Sequence, residues 1–401
     1  MKVLIFPSFL KQFKTLKDQT GTYSLYGRKY EDFTVCHLTG IIKSDGSDQL
    51  IGILSIKEEN TKNALHYPYL HSYIESENIE DLKISIHNST DDILSNIPLN
   101  IELVDLQRLF VRIDQNETPL EVLKEKKVVI IGMGSGGSLL AVYLAKSGLK
   151  NFIFIDDDRL ETHNIIRHIC DLSQLGRYKT HAVKEFIEKR IPDVNIITVE
   201  KKFELHTRAD SDEFLTMFEG VDLIIAVSGE HVVNYSINDF IHTNRLPIPI
   251  IFAGTFDGVK GGLMFKVDPR NNDYCYHCIY SDPVDSNSTS SLPTTSELEK
   301  QITYDRNLQE QVAQPGLGLD IDNLTILLSK FSLDMLLDEK EHALYHFDQN
   351  FYMWFNRTII KSDGESVKFE GLELCYYEDL TKDSRCPFHG NKVDGQTETG
   401  E

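Results

Sequence analysis

The chain has 401 residues, and its 62 acidic side chains outnumber the 41 Lys and Arg side chains to give a formal net charge of −21. This excess of negative charge argues against a nucleic-acid partner, because binding to phosphates needs clustered cations. Hydrophobic residues make up 41% of the chain, an ordinary share for a globular protein, and the sequence contains no apolar run long enough for a transmembrane helix.

The start of the chain and the cysteine count bear on location. The first residues, MKVLIFPSFLKQFK, lack the small-residue cleavage site of a signal peptide, and we interpret them as a strand. Six cysteines are too few for a disulfide scaffold. The sequence therefore predicts a cytoplasmic protein without a membrane segment.

Residues 1–105 contain no chemical motif. Runs typical of strands occur at 33–38 and 49–56, and an acidic stretch near 76–84 has helical character. We expect a small α+β accessory domain here.

A glycine-rich turn lies between an apolar run and a helical stretch. The run Val128–Ile131 has the unbroken apolar character of a buried parallel strand. Gly132, Gly134 and Gly137 follow it as GxGxxG, and residues 138–150 have helical spacing. Glycines in this pattern let the backbone turn tightly and approach a phosphate, and a helix N-terminus favours anionic charge. We therefore expect a nucleotide phosphate at this turn.

A second strand, residues 152–155, ends in Asp156, Asp157 and Asp158. An acid about 20 residues after the glycines usually accepts a hydrogen bond from a ribose hydroxyl, which makes Asp156 the candidate. Taken alone, this pattern would indicate a dehydrogenase that binds NAD.

Three further residues favour a different chemistry. Asn164, Arg167 and Lys179 follow the acidic strand end. A dinucleotide has its pyrophosphate bound mostly by backbone N–H groups and does not need this set. An enzyme that cleaves a triphosphate does need fixed cations, because charge develops on the leaving pyrophosphate. Solvated positions on a helix face are the alternative for the two basic residues.

Strand and helix patterns alternate through the middle of the chain. Strand candidates occur at 127–132, 151–156, 194–203, 221–228 and 248–254. This alternation predicts an α/β fold with a Rossmann-like, doubly wound and mostly parallel sheet. The ligand should lie outside the carboxyl ends of the strands, where the candidate site residues also fall.

Two cysteine-containing pairs indicate a metal site. Cys275 and Cys278 form CxxC, while Cys386 and His389 form CxxH. Together they offer three sulfurs and one nitrogen, a set that tetrahedral Zn²⁺ accepts. Four protein ligands leave no open position, so the zinc would be structural. Cys375 is the rival for the fourth ligand, and simple burial of Cys275 and Cys278 is the alternative to a metal.

The remaining C-terminal features concern loops. Residues 281–296 are rich in Ser, Thr and Pro and predict a flexible loop, and residues 323–337 have the pattern of an apolar helix. The polar tail, residues 391–401, is predicted to be disordered.

The motifs resemble those of a known family. IDDDRLETHNIIRHI and LGRYK are similar to the D-x-D-x-V-x-x-S-N-L-x-R-Q and G-K-x-K stretches of the ThiF-type adenylyltransferases, which are related to ubiquitin-activating enzyme. The resemblance extends from about residue 105 to 390, implies an adenylation domain at 106–390 and places a crossover loop at 281–296. The family has CxxC at both metal motifs, so that His389 stands where a cysteine is usual. In layout the chain looks most like the microcin-maturing peptide adenylyltransferases, whose N-terminal domain clamps a peptide.

The resemblance implies roles for the candidate residues. Asp156 and Asp158 would lie at the nucleotide, with Asp156 on the ribose; Asn164 and Arg167 would bind the phosphates, and Lys179 the phosphates or the acyl-adenylate. The family also has an arginine upstream of the first strand that reaches the ATP of the other subunit in a homodimer. Arg108 has the matching position, and Arg112 is the alternative.

One position departs from the family pattern. The family has a magnesium-binding aspartate after the fourth strand, where this chain reads Gly229–Glu230–His231. Either Glu230 replaces the aspartate with one extra methylene, or the loop is shifted by one residue. Mg²⁺ accepts either carboxylate in octahedral geometry.

The resemblance implies an ATP- and Mg²⁺-dependent adenylyltransferase. Its substrate would be the C-terminal carboxylate of a ubiquitin-like or sulfur-carrier protein, or of a ribosomal peptide. A full activating enzyme that forms a thioester is an alternative, but residues 279–330 contain no cysteine for it. A non-catalytic scaffold that binds a leader peptide is the other alternative.

Overall fold

The computed structural model describes residues 2–6, 8–9, 12, 21–30, 35–40, 49–56, 65–66, 82–86, 100–113, 118–256, 259–271, 274–280, 316–337, 343–356, 359–360, 366–367, 374–376 and 382–390. The chain divides into two compact units, Met1–Val111 and Arg112–Glu401. The loop expected at 281–296 and the tail expected at 391–401 lie outside the described residues, and the domain boundaries proposed from the sequence stay predictions.

The first unit contains a seven-stranded sheet. Its strands are β1 (Lys2–Ile5), β2 (Gly21–Tyr30), β3 (Val35–Gly40), β4 (Gln49–Ile56), β5 (Leu65–His66), β6 (Leu82–Ile86) and β7 (Asn100–Leu103), in the spatial order β5-β6-β4-β2-β3-β1-β7. Strand β1 pairs in parallel with β3 and β7, and the other pairs are antiparallel. The strand predicted at the start of the chain is confirmed.

The helical interpretation of residues 76–84 is wrong for its described end. Residues 82–86 form β6, which pairs with β4. The sequence LKISI alternates apolar and polar residues, and this period of two favours a half-buried strand over a helix.

The second unit is a mixed α/β structure built on an eight-stranded sheet. Its strands are β8 (Lys127–Ile131), β9 (Asn151–Ile155), β10 (Asn195–Val199), β11 (Leu223–Ala226), β12 (Ile250–Thr255), β13 (Gly261–Val267), β14 (Phe351–Phe355) and β17 (Leu374–Tyr376), in the order β10-β9-β8-β11-β12-β13-β14-β17. The first five strands of this order are parallel and the last three are antiparallel to their neighbours. The prediction of a mixed fold with a largely parallel sheet is confirmed. A short pair, β15 (Ile359–Ile360) and β16 (Ser366–Val367), lies outside this sheet.

Helices connect and cover these strands. They are α1 (Leu120–Glu125), α2 (Ser135–Lys146), α3 (Lys179–Glu188), α4 (Arg208–Met217), α5 (His231–Thr243), α6 (Tyr276–Tyr280) and α7 (Gly318–Leu336). Helix α7 packs closely on α2, where a Cβ on Gly136 would lie 3.6 Å from Thr325 Oγ1. Among the described residues, no helix combines the length and apolarity needed to cross a bilayer.

The chain reverses its direction of travel across the sheet at one point. From β8 it proceeds outward through β9 and β10, and it then returns to the other side of β8 with β11 and β12. Strands β8 and β11 are therefore neighbours whose connections leave in opposite directions. Open α/β sheets bind ligands in the crevice outside the carboxyl ends of two such strands.

Candidate functional site

Glycines shape the turn at the carboxyl end of β8. Gly132 has a φ of +98°, and a Cβ there would lie 2.7 Å from the backbone of Ser228, just beyond β11. A Cβ on Gly137 would lie 1.9 Å from the carbonyl oxygen of Gly132. Gly134 differs, because a Cβ there would meet nothing within 4 Å. Two glycines thus permit close backbone packing, whereas Gly134 faces open space at the N-terminus of α2.

Asp156 is joined to the glycine turn. The backbone N–H of Met133 donates to Oδ2 of Asp156 at 2.5 Å, and the N–H of Asp158 donates to Oδ1 at 2.8 Å. Burial raises the pKa of the Asp156 carboxyl, while the Lys179 ammonium and the two N–H donors lower it. Each carboxylate oxygen keeps a further lone pair, so that Asp156 remains able to accept from a ribose hydroxyl.

A buried histidine braces the same turn. Nε2 of His168 lies 2.9 Å from the carbonyl oxygen of Met133, and the N–H of Cys170 donates to its Nδ1 at 3.1 Å. A carbonyl can only accept, so these two contacts fit the neutral Nε2–H tautomer. Burial lowers the pKa of His168, which keeps the ring neutral. Sequence reasoning missed this residue, because nothing in its spacing marks it.

Lys179 is buried at the start of α3. Only 8% of the residue is exposed, and its Nζ lies 2.7 Å from Oδ2 of Asp158. The backbone also joins the two residues, since the Lys179 N–H donates to the Asp158 carbonyl at 3.0 Å. Next to this pair, the Arg159 guanidinium lies 3.8 Å from the ring centre of Tyr178. These contacts hold the lysine beside the acidic end of β9.

Asn164 and Arg167 belong to a short helical turn after β9. The side-chain oxygen of Asn164 accepts from the N–H of Glu161 at 2.9 Å, which leaves its amide N–H groups as the donors suited to a phosphate. Arg167 is half-buried against the start of α7, where a Cβ on Gly316 would lie 3.4 Å from its guanidinium. Their binding of phosphate stays a prediction.

Glu230 is held by an ion pair. Its carboxylate lies 2.5 Å from Nζ of Lys202, and its side chain is 51% exposed. The preceding residue, Gly229, has a φ of +75°, and Glu230 is the residue before α5. A role for Glu230 in binding magnesium, which stays a prediction, would require this ion pair to open.

The two candidate arginines upstream of β8 are both exposed. Arg108 lies in a short 3-10 helix, Leu106–Phe110, within the first unit, and Arg112 is the first residue of the second unit. The proposed contact of either arginine with ATP across a dimer stays a prediction.

The four metal-ligand candidates lie together. Sγ of Cys275 is 3.9 Å from that of Cys278 and 3.4 Å from that of Cys386, while Nδ1 of His389 lies 3.4 Å from Cys278 and 3.6 Å from Cys386. A tetrahedral site with Zn–S bonds of about 2.3 Å has ligand atoms about 3.8 Å apart, so this set fits zinc. We call these four residues the Cys/His cluster.

The described thiols bear on the thioester alternative. Cys170 is buried, and burial raises its pKa to about 12, so that it stays protonated at neutral pH. A protonated thiol is a poor nucleophile. The side chains of Cys36 and Cys375 lie outside the described part of the chain.

Comparison with known proteins identifies the family. The ThiF family model matches residues 105–363, more than half of the chain. The chain therefore belongs to the ThiF family, as its motifs indicate.

Individual relatives are distant. Over 226 residues the chain is 24% identical to the protein y4qC of Sinorhizobium fredii, a match that covers 55% of this chain and 38% of that protein. Over 170 residues it is 28% identical to the adenylyltransferase and sulfurtransferase UBA4 of Meyerozyma guilliermondii, with 42% of this chain and 38% of that protein covered. The chain thus spans well under half the length of these curated relatives.

Similar solved structures include MccB of E. coli, with 17% identity, a TM-score of 0.47 and 68% of each chain covered. The complex of E. coli MccB with AMPCPP and MccA has 16% identity and a TM-score of 0.46, again over 68% of each chain. PaaA has 16% identity and a TM-score of 0.48, over 66% of this chain and 81% of that one.

Proposed function

We propose that this protein uses ATP to activate the C-terminal carboxylate of a ubiquitin-like or sulfur-carrier protein, or of a ribosomal peptide, as an acyl-adenylate. The observation that carries the proposal is the crevice between β8 and β11 of a ThiF-family chain. The glycine turn, the Asp156 carboxylate and the buried Lys179 ammonium lie together at the end of β8 and β9.

The reaction needs no base. A C-terminal carboxylate is already ionised at neutral pH, and its oxygen attacks the α-phosphorus of ATP. The bond from that phosphorus to the bridging oxygen breaks, and pyrophosphate leaves with the electron pair. Negative charge grows on the leaving group, and the fixed cations Lys179 and Arg167 would stabilise it. We propose Arg108 as a third cation, supplied by the other subunit of a homodimer.

ATP would bind with its phosphates over the glycine turn and its ribose on Asp156. The open space around Gly134 suits the close approach of a phosphate to the backbone and to the N-terminus of α2. Asp156, Asp157 and Asp158 offer carboxylate oxygens within 4.8 Å of one another, and Glu230 is a further candidate ligand for Mg²⁺. When bound, the metal would neutralise phosphate charge.

The Cys/His cluster would hold a structural zinc. Its four donor atoms lie within 4.8 Å of one another, and four protein ligands on a tetrahedral zinc would leave no position for a substrate. We therefore assign it no step in the reaction.

The test is an ATP–pyrophosphate exchange assay with small sulfur-carrier proteins and synthetic peptides as acceptors. A substrate with a free C-terminus should support exchange, and the same peptide with a C-terminal amide should not, because it lacks the attacking carboxylate. Equal exchange with the amidated peptide would contradict the proposal. No exchange with any acceptor, combined with tight peptide binding, would support the scaffold instead.

Two further experiments test the thioester alternative and the contact of Arg108 across a dimer. A conjugate released by reducing agent and mapped to a cysteine would establish the thioester enzyme. Mixing the Arg108→Ala and Lys179→Ala variants should restore part of the exchange if the arginine acts across a dimer, since one mixed site then has both cations.

A further inference from the structure

Tyr276 is one of the side chains that connect the Cys/His cluster to α5, the helix that starts beside the nucleotide crevice; another is His277, whose Nε2 lies 2.7 Å from Oδ1 of Asp239. Tyr276 follows the ligand candidate Cys275, is buried, and lies under α5. Its phenol oxygen is 2.6 Å from Nδ1 of His231, and it accepts from the side-chain amide of Asn234 at 3.2 Å. Its backbone N–H donates to Oδ1 of Asn238 at 2.9 Å.

The contacts on α5 share one face of that helix. His231, Asn234 and Asn238 are spaced i, i+3 and i+7, which places them in one row. Polar residues on an inward face need partners, and a satisfied polar network fixes a unique arrangement. Here Tyr276 is a shared partner of all three, through its phenol and its backbone N–H, while the side-chain oxygen of Asn234 is buried without a hydrogen-bond partner among the described residues.

Packing around Tyr276 makes this connection stiff. Its ring centre lies 4.7 Å from that of Phe252 on β12 and 4.9 Å from that of Tyr235 on α5. The ring is thus held by the sheet on one side and by the helix on the other. Because the ring is held on both sides, a shift of the Cys275 backbone would also displace the Tyr276 phenol.

The other end of the connection is the crevice. His231 is the first residue of α5 and follows Glu230 directly. Two residues earlier, Ser228 lies against the glycine turn, 2.7 Å from where a Cβ on Gly132 would be. Because these residues are joined by the backbone, a displacement of His231 would also displace Glu230 at the edge of the crevice.

We propose that Tyr276 is a positioning residue that couples metal binding at the Cys/His cluster to the placement of His231 and Glu230 at the nucleotide crevice. Its effect on catalysis rests on the proposed adenylation, but the coupling itself does not. By reciprocity, if metal binding favours the arrangement in which the hydrogen bond between His231 and Tyr276 is made, loss of that hydrogen bond must weaken metal binding.

The experiment measures zinc affinity by competition with a chromophoric chelator. Tyr276→Phe removes only the phenol oxygen and keeps the ring packing, while His231→Ala removes its partner although His231 is not a ligand. Each variant should bind zinc between about twofold and tenfold more weakly, the range for one neutral hydrogen bond. The loss in the double variant should be smaller than the sum of the two single losses, because both variants remove the hydrogen bond between His231 and Tyr276.

Tyr235→Phe is the matched control. It removes a phenol oxygen between the same two helices, α5 and α6. That hydroxyl donates to the Tyr280 carbonyl at 3.1 Å and does not contact His231. It should leave zinc affinity unchanged. Unchanged affinity in Tyr276→Phe, additive losses in the double variant, or a protein that binds no zinc would each overturn the proposal.

Nitrogen NMR of the histidine rings gives a second readout in the folded, zinc-loaded protein. The Nδ1 signal of His231, assigned by its loss in His231→Ala, should shift in Tyr276→Phe and not in Tyr235→Phe. In the exchange assay Tyr276→Phe should lower kcat while the KM for ATP is unchanged, because Asp156 and Lys179 are untouched. If the wild-type protein catalyses no exchange, the adenylation proposal fails, and the zinc and NMR measurements still decide the coupling.

Discussion

Adding one methyl group to Gly137 should destabilise the second unit, while the same change at Gly134 should not. The Cβ of Gly137→Ala would lie 1.9 Å from the Gly132 carbonyl oxygen and 3.2 Å from Val227. Relief of the first contact requires β8 and α2 to separate by about 1 Å, and overpacking of this kind typically costs about 1–3 kcal/mol. Since the atom that must move is backbone, we expect a cost near 3 kcal/mol, a large part of a typical stability of about 5–15 kcal/mol.

The assay can follow a single reporter. The chain has one tryptophan, Trp354, which is 1% exposed and lies on β14 of the same sheet. Urea unfolding followed by its fluorescence should show a lower midpoint for Gly137→Ala. Gly134→Ala should keep the wild-type midpoint, because its Cβ meets nothing within 4 Å, yet it should weaken ATP binding by crowding the phosphates. A wild-type midpoint for Gly137→Ala would refute the packing argument, and wild-type ATP affinity for Gly134→Ala would refute the placement of the phosphates.

Three further predictions follow from the site. Lys179→Ala should lower pyrophosphate exchange by about 10²-fold, the usual scale for one preorganised charge. The stability of this variant should change little, because Asp158, the partner of Lys179, is 67% exposed. Near-normal exchange would contradict the role of Lys179. Purified protein should carry about one zinc per chain by elemental analysis. Because this zinc would be structural, the main effect of Cys386→Ser should be a lower urea midpoint, with a smaller effect on pyrophosphate exchange. Stability should fall as pH drops below about 6.5, because unfolded His168 and His242 gain protons there that burial disfavours in the folded protein by lowering the pKa of each ring. His168→Gln should make this slope less steep, and an equally steep slope in that variant would exclude a contribution from His168.

The central parallel strands could be predicted because they are short, unbroken apolar runs, whereas β10, with the sequence NIITV, mixes apolar and polar residues. Val128–Ile131 and Leu223–Ala226 are buried on both faces of the sheet, so nearly every residue is apolar. The candidate at 194–203 was too long, since the strand ends at Val199. The polar residues from Glu200 onward could adopt an extended backbone, but they do not pair with a neighbouring strand. Where strand pairing stops depends on the folded sheet and not on the local sequence.

The sequence predicted only those site residues whose spacing along the chain is characteristic of a chemical motif. The glycine pattern and the spacing within each cysteine pair are local, and the structure brings Cys275, Cys278, Cys386 and His389 together. The contact of Glu230 with Lys202 and the brace from His168 to Met133 join distant segments. No local pattern encodes such contacts, because they depend on how the chain returns to the sheet.

The distance along the chain between the halves of the Cys/His cluster has a consequence for how the protein is made. Cys275 and Cys386 are separated by 111 positions. A ribosome that adds about 5–20 residues per second needs roughly 6–20 s to pass from the first pair to the second. During that interval the nascent chain presents two thiols with only half of a zinc site, open to oxidation or to other thiophilic metals. The metal that the Cys/His cluster would take up thus depends on timing and on the redox state around the ribosome as well as on affinity.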